Sequence, residues 1–444
     1  MRAVLAQMSP PRYVVTSLLS RVKDDAGWSR GGLLSLRDDL AEPHVPVGDG
    51  WVRVRPELSG ICGSDVAFAH ATTSMVLTAF YAADRAILGH EVVGVVESVG
   101  SGVMRVAAGD RVVLDPVLSC RHRGYDPPCE SCRRGLPYVC QRFDEPGITG
   151  MASPTHGFDT ALGGGWGEVL VAHETQLHRI GSVPSRRAVL AEPASIGLHA
   201  ALQWRRTGDR VVVIGPGTIG LLVTSALRML HPDLDVAVVS PGEQGARSAV
   251  RSGASRTLPA GRAAVEALAE SDGGRLLRPR MTRLPILERG VDAVFDCVAH
   301  PDTIDLGLHL LRPGGMLVLV GGAGRQHVDW SLVWNRQLTV QGTINFGPEP
   351  ALEGRHTMDQ VVDWLGDEAY PVDHLVTHVH PLDEWRTALS TASAGPRAAA
   401  VKVALRPNRS LPLVGPVPAP VPAPGPGPLP ATAPRDDRGE VAAP

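Results

Sequence analysis

Lysine is nearly missing from this 444-residue chain: Lys23 and Lys402 are the only two, so 41 of the 43 basic residues are arginine. Schiff-base chemistry therefore has almost no candidate nucleophile. In a chain rich in alanine, glycine and proline, the bias reflects genome base composition rather than function. Neither sign of charge prevails, and a formal net charge of −3 gives no overall attraction to nucleic acid or to an anionic membrane. No apolar run makes a comfortable membrane span; the nearest, VVVIGPGTIGLLVTSAL at 211–227, is broken by glycines and a proline. The opening stretch MRAVLAQMSPPRYVV carries two prolines where an export signal has its apolar core, so a cytoplasmic protein is expected. No internal repeat is present.

What remains is a globular composition, 43% hydrophobic and 20% charged, in a chain long enough for two domains. Residues 211–344 alternate short apolar runs with helical stretches: VVVIG (211–215), VAVVS (236–240), DAVFDC (292–297), MLVLVG (316–321) and LTVQGTI (338–344). A helix is expected over 218–230, and another opens at Pro301 and ends at the PGG of 313–315. Continuous apolar strands between helices predict an α/β, doubly wound parallel sheet. Residues before about 185 read instead as short strands punctuated by glycine, a β-rich domain. One domain thus interrupts another. The expected division is 1–189 for the β-rich domain, 190–345 for the inserted sheet, 346–408 for the return, and 409–444 for a disordered Pro-rich tail.

Gly215, Gly217 and Gly220 have G-x-G-x-x-G spacing between a predicted strand and a predicted helix. The first allows a tight turn, the second lets a pyrophosphate approach the backbone, and the third lets helix and strand pack closely. Thr218 and Ile219 belong to the same cofactor-binding turn, and Val320 and Gly321 end a neighbouring strand. Where an acidic residue often holds the adenosine ribose, this chain has Ser240. Serine does not repel a 2′-phosphate, and Arg247 and Arg251 follow, which favours NADP while leaving NAD open.

Cys120, Cys129, Cys132 and Cys140 lie within one loop, two of them in C-x-x-C spacing. Four thiolates close a tetrahedral zinc shell. Arg121, His122, Arg123, Arg133 and Arg134 flank the loop and read as surface charges; with no aromatic run beside them a nucleic-acid module is not expected. Elsewhere Cys62 stands in SGICGSDVAFAH, His90 and Glu91 in AILGHEVVGVV, and Glu192 in VLAEPAS.

The CGSD at 62–65, the GHE at 89–91 with Gly94 and Gly100, the GDRV at 109–112, the four-cysteine loop, the EP at 192–193 and the glycine turn together resemble the zinc-dependent alcohol dehydrogenases of the medium-chain dehydrogenase/reductase family, in the branch with polyol and threonine dehydrogenases. The likeness spans roughly 40–405. It implies a Rossmann domain inserted in a GroES-like catalytic domain, and two zinc ions per chain. Cys62 and His90 would be catalytic zinc ligands, with Glu192 or Glu91 as the carboxylate. Cys120, Cys129, Cys132 and Cys140 would hold structural zinc, although the first gap is wider than the family's usual one. The implied reaction moves hydride between NAD(P) and a small-molecule alcohol or carbonyl substrate, with the alkoxide stabilised by zinc. Ser64 resembles the hydroxyl that takes the alcohol proton. The histidine that relatives commonly place five residues after the cysteine is Ala67 here, and His70 is its candidate substitute. The segment 71–87 is longer than expected and is a candidate pocket wall. The resemblance also implies a homo-oligomer, dimer or tetramer. Two other readings use the same scaffold: a zinc-retaining reductase of an activated double bond or imine, and a non-catalytic cofactor-binding relative.

Overall fold

The computed structural model describes residues 1–74, 76–77, 83–151 and 153–415. Residues 416–444 of the expected tail, and 75 and 78–82 of the candidate pocket wall, lie outside the described residues.

Two large sheets organise the chain. The first is seven-stranded and mostly antiparallel. Its path runs Val376–Pro381, Lys402–Arg406, Trp51–Gly60, Glu91–Val99, Arg111–Leu114 and Leu177–Arg179, with Leu170–His173 also paired to Trp51–Gly60. Alternation sets its two faces. Val52, Val54, Val92, Val96, Val112 and Leu114 close a core on one side, while Leu58, Val93 and Val113 face the other. Gly94 permits the close pairing of Glu91–Val99 with Trp51–Gly60, because a Cβ there would stand 2.6 Å from the Arg55 carbonyl oxygen.

The second sheet is wholly parallel, in the order Arg256–Leu258, Asp235–Val239, Arg210–Ile214, Val291–Asp296, Leu311–Leu319 and Thr339–Gly342. This is the doubly wound order with its crossover point beside Arg210–Ile214, where such sheets bind ligands at the carboxyl ends of their strands. Helices Thr218–Leu230, Glu243–Arg251, Arg262–Asp272 and Pro301–Leu310 connect the strands. Strand Arg256–Leu258 was not expected, since three residues with one leucine give no apolar run. The helix opened by Pro301 stops at Leu310, before the PGG at 313–315; the chain there already pairs with Val291–Asp296, across a register shift.

Helix Ala191–Leu202 joins the two layers. Leu190, Ala191, Ala194 and Leu198 share one core with Leu58 and Val93 of the first sheet, with Val213 of the second, and with Leu221 and Leu222 of helix Thr218–Leu230. The amino-terminal region departs from the β-rich expectation at Pro10–Leu19, a helix whose two prolines fill its opening positions. The described residues 409–415 run along the first unit: Val414 N–H donates to Ser185 Oγ at 2.7 Å, and Ser185 N–H to the Val414 carbonyl at 2.9 Å. Among the described residues, no helix is long and apolar enough to cross a membrane.

Candidate active site

Strand register brings the separated sequence motifs together. Gly60 stands opposite Glu91 on one side and Ala404 on the other. A Cβ on Gly60 would lie 1.8 Å from Glu91 Oε2, so only glycine lets that carboxylate cross the strand. Immediately after Gly60 the chain turns into helix Gly63–Ala69, with Cys62 as its cap. Cys62, His90 and Glu91 consequently place one ligand atom each within 4.8 Å of one another. A thiolate, an imidazole and carboxylates suit zinc.

Asp65 is a residue the sequence reading passed over. It is fully buried, accepts from the Cys62 N–H at 2.9 Å, and has its other oxygen 3.7 Å from His90 Nδ1. At 3.7 Å this is an electrostatic contact and not a hydrogen bond, and neither Asp65 Oδ1 nor His90 Nδ1 has a hydrogen-bond partner among the described residues. Burial raises the Asp65 carboxyl, while His90 and the Cys62 N–H act to lower it. Burial opposes charge on His90, but Asp65, Cys62 and Glu192 outweigh it and hold the imidazole well above 6.5. The ring of Phe158 stacks on His90 at 5.6 Å between centroids, and Phe68 stands behind it at 6.1 Å.

The two glutamates differ. Glu91 has both oxygens engaged by the buried Lys402, at 2.6 and 2.7 Å. Glu192 lies in the first turn of helix Ala191–Leu202, 7% exposed, and burial raises its carboxyl to about 8; the field of His90 works against that rise and Glu91 adds to it. Burial also opposes charge on Lys402, but Glu91, Cys62 and Glu192 more than offset it and raise its pKa.

Ser64 is exposed in the first turn of helix Gly63–Ala69, and Ala67 follows almost one turn later. His70 caps the far end. Its Nε2 is 3.0 Å from Ser393 Oγ, its ring meets Trp28 edge-on at 4.9 Å, and burial lowers its pKa.

At the glycine turn, Gly215 has φ +100° and Gly217 is open to solvent with nothing near its missing Cβ. Gly220 is pressed against the turn: a Cβ there would fall 1.9 Å from the Gly215 carbonyl oxygen. The helix Thr218–Leu230 thus points its free N–H groups past Gly217, an arrangement that suits a pyrophosphate. Thr218 Oγ1 donates to the Val401 carbonyl at 2.8 Å, tying this turn to the strand that carries Lys402. Ile219 sits beside it, and Val320 and Gly321 both donate N–H groups to the Asp296 carbonyl at the same edge of the sheet. Ser240 is buried and donates to the Gly242 carbonyl at 2.8 Å. Arg247 pairs with Glu243 at 2.5 Å.

The four cysteines converge. Cys140 Sγ lies 3.6 Å from Cys120 Sγ and 3.9 Å from Cys129 Sγ, and Cys129 and Gln141 aim N–H groups at sulfurs. Four sulfurs about 2.3 Å from a tetrahedral zinc stand about 3.8 Å apart, so the spacing fits that ion. Burial tends to raise the Cys129 thiol, but N–H groups of Cys132 and Gln141 bring it down to about 6, while Cys140 is pushed up to about 11, chiefly by burial. Two flanking residues are not surface charges: His122 is buried, with burial lowering its pKa to about 3, and Arg123 is 1% exposed and donates to the carbonyls of Glu145, Met151 and Ser153. Arg123 knots the lobe from within, which no local pattern of arginines signals.

Two family models match the chain: the alcohol dehydrogenase GroES-like domain over 48–182 and the zinc-binding dehydrogenase over 218–367. A probable D-xylulose reductase A of Aspergillus clavatus is 27% identical over 361 residues, covering 80% of this chain and 88% of its own. An erythritol/L-threitol dehydrogenase of Mycolicibacterium smegmatis is 28% identical over 381 residues, covering 83% and 94%. Among solved structures, an Escherichia coli alcohol dehydrogenase complexed with NADH has the same fold, with a TM-score of 0.66 at 22% identity over 91% of this chain and 99% of that one.

Proposed function

Because the chain belongs to the zinc-dependent medium-chain alcohol dehydrogenase family, in its polyol dehydrogenase branch, we propose how its own residues carry out the NAD(P)-linked oxidoreduction of alcohols. The observation that carries the reading is the convergence of Cys62, His90 and Glu91 within 4.8 Å; Glu192 lies outside that group, in the first turn of the helix that links the two layers, where its charge acts on His90. Cys62, His90 and Glu192 or Glu91 would hold the catalytic zinc, and Cys120, Cys129, Cys132 and Cys140 the structural one. Bound zinc polarises the substrate oxygen, and the nicotinamide carries the hydride.

The rest falls to the protein. Asp65 would act on His90 through the charge it sets 3.7 Å from Nδ1. Phe158 covers the face of that ring and keeps water from it. Ser64, exposed beside Cys62, would accept the hydroxyl proton of an alcohol during oxidation, or supply a proton to the oxygen of a carbonyl substrate as it is reduced to the alcohol. His70 lies six residues farther along, about 9 Å of helix rise from Ser64, so a proton would reach it only through intervening water. The Gly215–Gly220 turn with Thr218 and Ile219 would cradle the pyrophosphate, Val320 and Gly321 would border the nicotinamide, and Ser240 and Arg247 would meet the adenosine ribose. A polyol substrate is supported by the printed activities of the xylulose and threitol relatives. We also propose the division 1–189, 190–345 and 346–408, and a cytoplasmic homo-oligomer; six free cysteines suit a reducing compartment.

Metal analysis with turnover tests the assignment. The full chain is expected to hold two zinc ions, and Cys62→Ala to lose one together with nicotinamide reduction on a panel of polyols. Full turnover in Cys62→Ala would sink the mechanism.

A further inference from the structure

Helix Pro10–Leu19 is built inside out. It turns Tyr13, Thr16, Ser17 and the capping Ser20 toward the body of the protein: Tyr13 packs on the core, Thr16 is 5% exposed, and Ser20 Oγ is buried with no hydrogen-bond partner among the described residues. Outward it presents Val14, Val15, Leu18, Leu19 and, in the turn that follows, Val22, each between 48% and 85% exposed. Lys23 N–H still bonds the Leu19 carbonyl at 2.9 Å, so that turn extends the helical path. Spacing of i, i+1, i+4, i+5 and i+8 makes the five aliphatic side chains one stripe. A surface helix ordinarily shows the reverse, and a monomer rarely leaves so continuous an apolar patch in water. Residues 10–25 also precede the span 48–182 that matches the GroES-like domain, so the stripe is an addition to that domain and not part of its match.

Charge marks what covers it. Arg12 stands six residues before Leu18 and Asp24 six residues after it. Both are exposed; Arg12 donates to Gln7 Oε1 at 2.8 Å, and neither residue has an ion partner among the described residues. When two copies pair antiparallel about a two-fold axis at Leu18, positions equidistant from the axis meet. Leu18 then meets Leu18, Val14 meets Val22, and Arg12 meets Asp24, the last two contacts each made twice. An anionic lipid surface fits less well, because Asp24 and Asp25 stand beside Arg21 and Lys23 and leave the stripe without a uniformly basic border. We propose that this stripe docks a second copy of the chain, antiparallel, through residues 12–24. Tyr13 Oη donates to the Thr73 carbonyl at 2.8 Å, which ties the docked helix to the start of the 71–87 segment. The proposal concerns assembly and does not depend on how the metal site is read.

Sedimentation equilibrium of the full-length protein, with circular dichroism as the check on folding, provides the test. Leu18→Glu sets two carboxylates against each other at the axis and is expected to halve the mass of the assembly, whatever other contact joins the copies. Arg12→Asp and Asp24→Arg each place like charges in contact twice, and each is expected to weaken association at least about tenfold. Arg12→Asp combined with Asp24→Arg restores opposite charges at both contacts and is expected to return association to within about threefold of the parent, a rescue that general damage to the helix would not give. All three positions are on the surface, and the charge exchange decides the matter even if Leu18→Glu does not fold. An unchanged mass in folded Leu18→Glu, or a double variant no tighter than the single ones, overturns the proposal. If the mass is unchanged and the parent floats with phosphatidylcholine and phosphatidylserine vesicles while Leu18→Glu does not, the stripe belongs to a lipid surface instead, which also overturns it.

Discussion

His156 makes the fold sensitive to acid. Its ring is fully buried, and neither nitrogen meets hydrogen-bond geometry with any described residue. Burial lowers its pKa from 6.5 to about 4, although Gln176 and Asp115 favour the charged form. The folded value lies below the unfolded one, so the stability tied to the neutral ring is complete above 6.5 and is lost as pH falls toward about 4. At about pH 5 the unfolded chain has gained its proton and the folded one has not, a difference of about 1.5 units or about 2 kcal/mol. Methionine replaces the ring with an apolar group of similar volume. His156→Met is expected to match the parent within about 1 kcal/mol at about pH 7.5 and to exceed it by about 2 kcal/mol at about pH 5. Urea unfolding followed by tryptophan fluorescence at both pH values provides the comparison. Acid-driven release of zinc from the cysteines is common to both proteins and cancels in the difference. Parallel loss of stability in parent and variant would refute the buried-imidazole argument.

Other perturbations separate the remaining roles. Gly220→Ala, whose Cβ would meet the Gly215 carbonyl oxygen at 1.9 Å, is expected to weaken NAD(P) binding at least about tenfold in calorimetric titration. Cys140→Ala should lose one zinc and lower the melting temperature, whereas Cys62→Ala should lose one zinc and melt close to the parent. Arg123→Ala strands three buried carbonyls and is expected to cost at least about 3 kcal/mol in urea unfolding. Glu243→Gln frees Arg247 from its ion pair, and the ratio of NADP to NAD affinity should rise by about threefold to tenfold.

The parallel sheet was legible because its strands are continuous apolar runs of β-branched residues, and the glycine turn because each glycine answers a separate steric demand. The four-cysteine cluster was legible from proximity in sequence alone. Asp65 and Lys402 were not. Asp65 lies inside the quoted CGSD, but its role depends on His90 approaching from a strand 25 residues away, and Lys402 reaches Glu91 only through the pairing of Gly60 with Ala404. Arg123 was misread for the same reason: its acceptors are carbonyls of Glu145, Met151 and Ser153, which have no sequence signature. Helix Pro10–Leu19 was hidden by prolines that break a helix in its interior and begin one at its first turn.

The exchange of hydrogen bonds between Ser185 and Val414 fastens a segment beyond the last described strand to the first unit. Ser185 Oγ also donates to the buried Glu57, which Arg111 holds from the other side. The last strand closes at Arg406, so a chain trimmed there would keep every strand of the sheet and still leave the Ser185 N–H without its acceptor. For protein engineering, a tag spliced directly after the final strand would unfasten a clasp that belongs to the core.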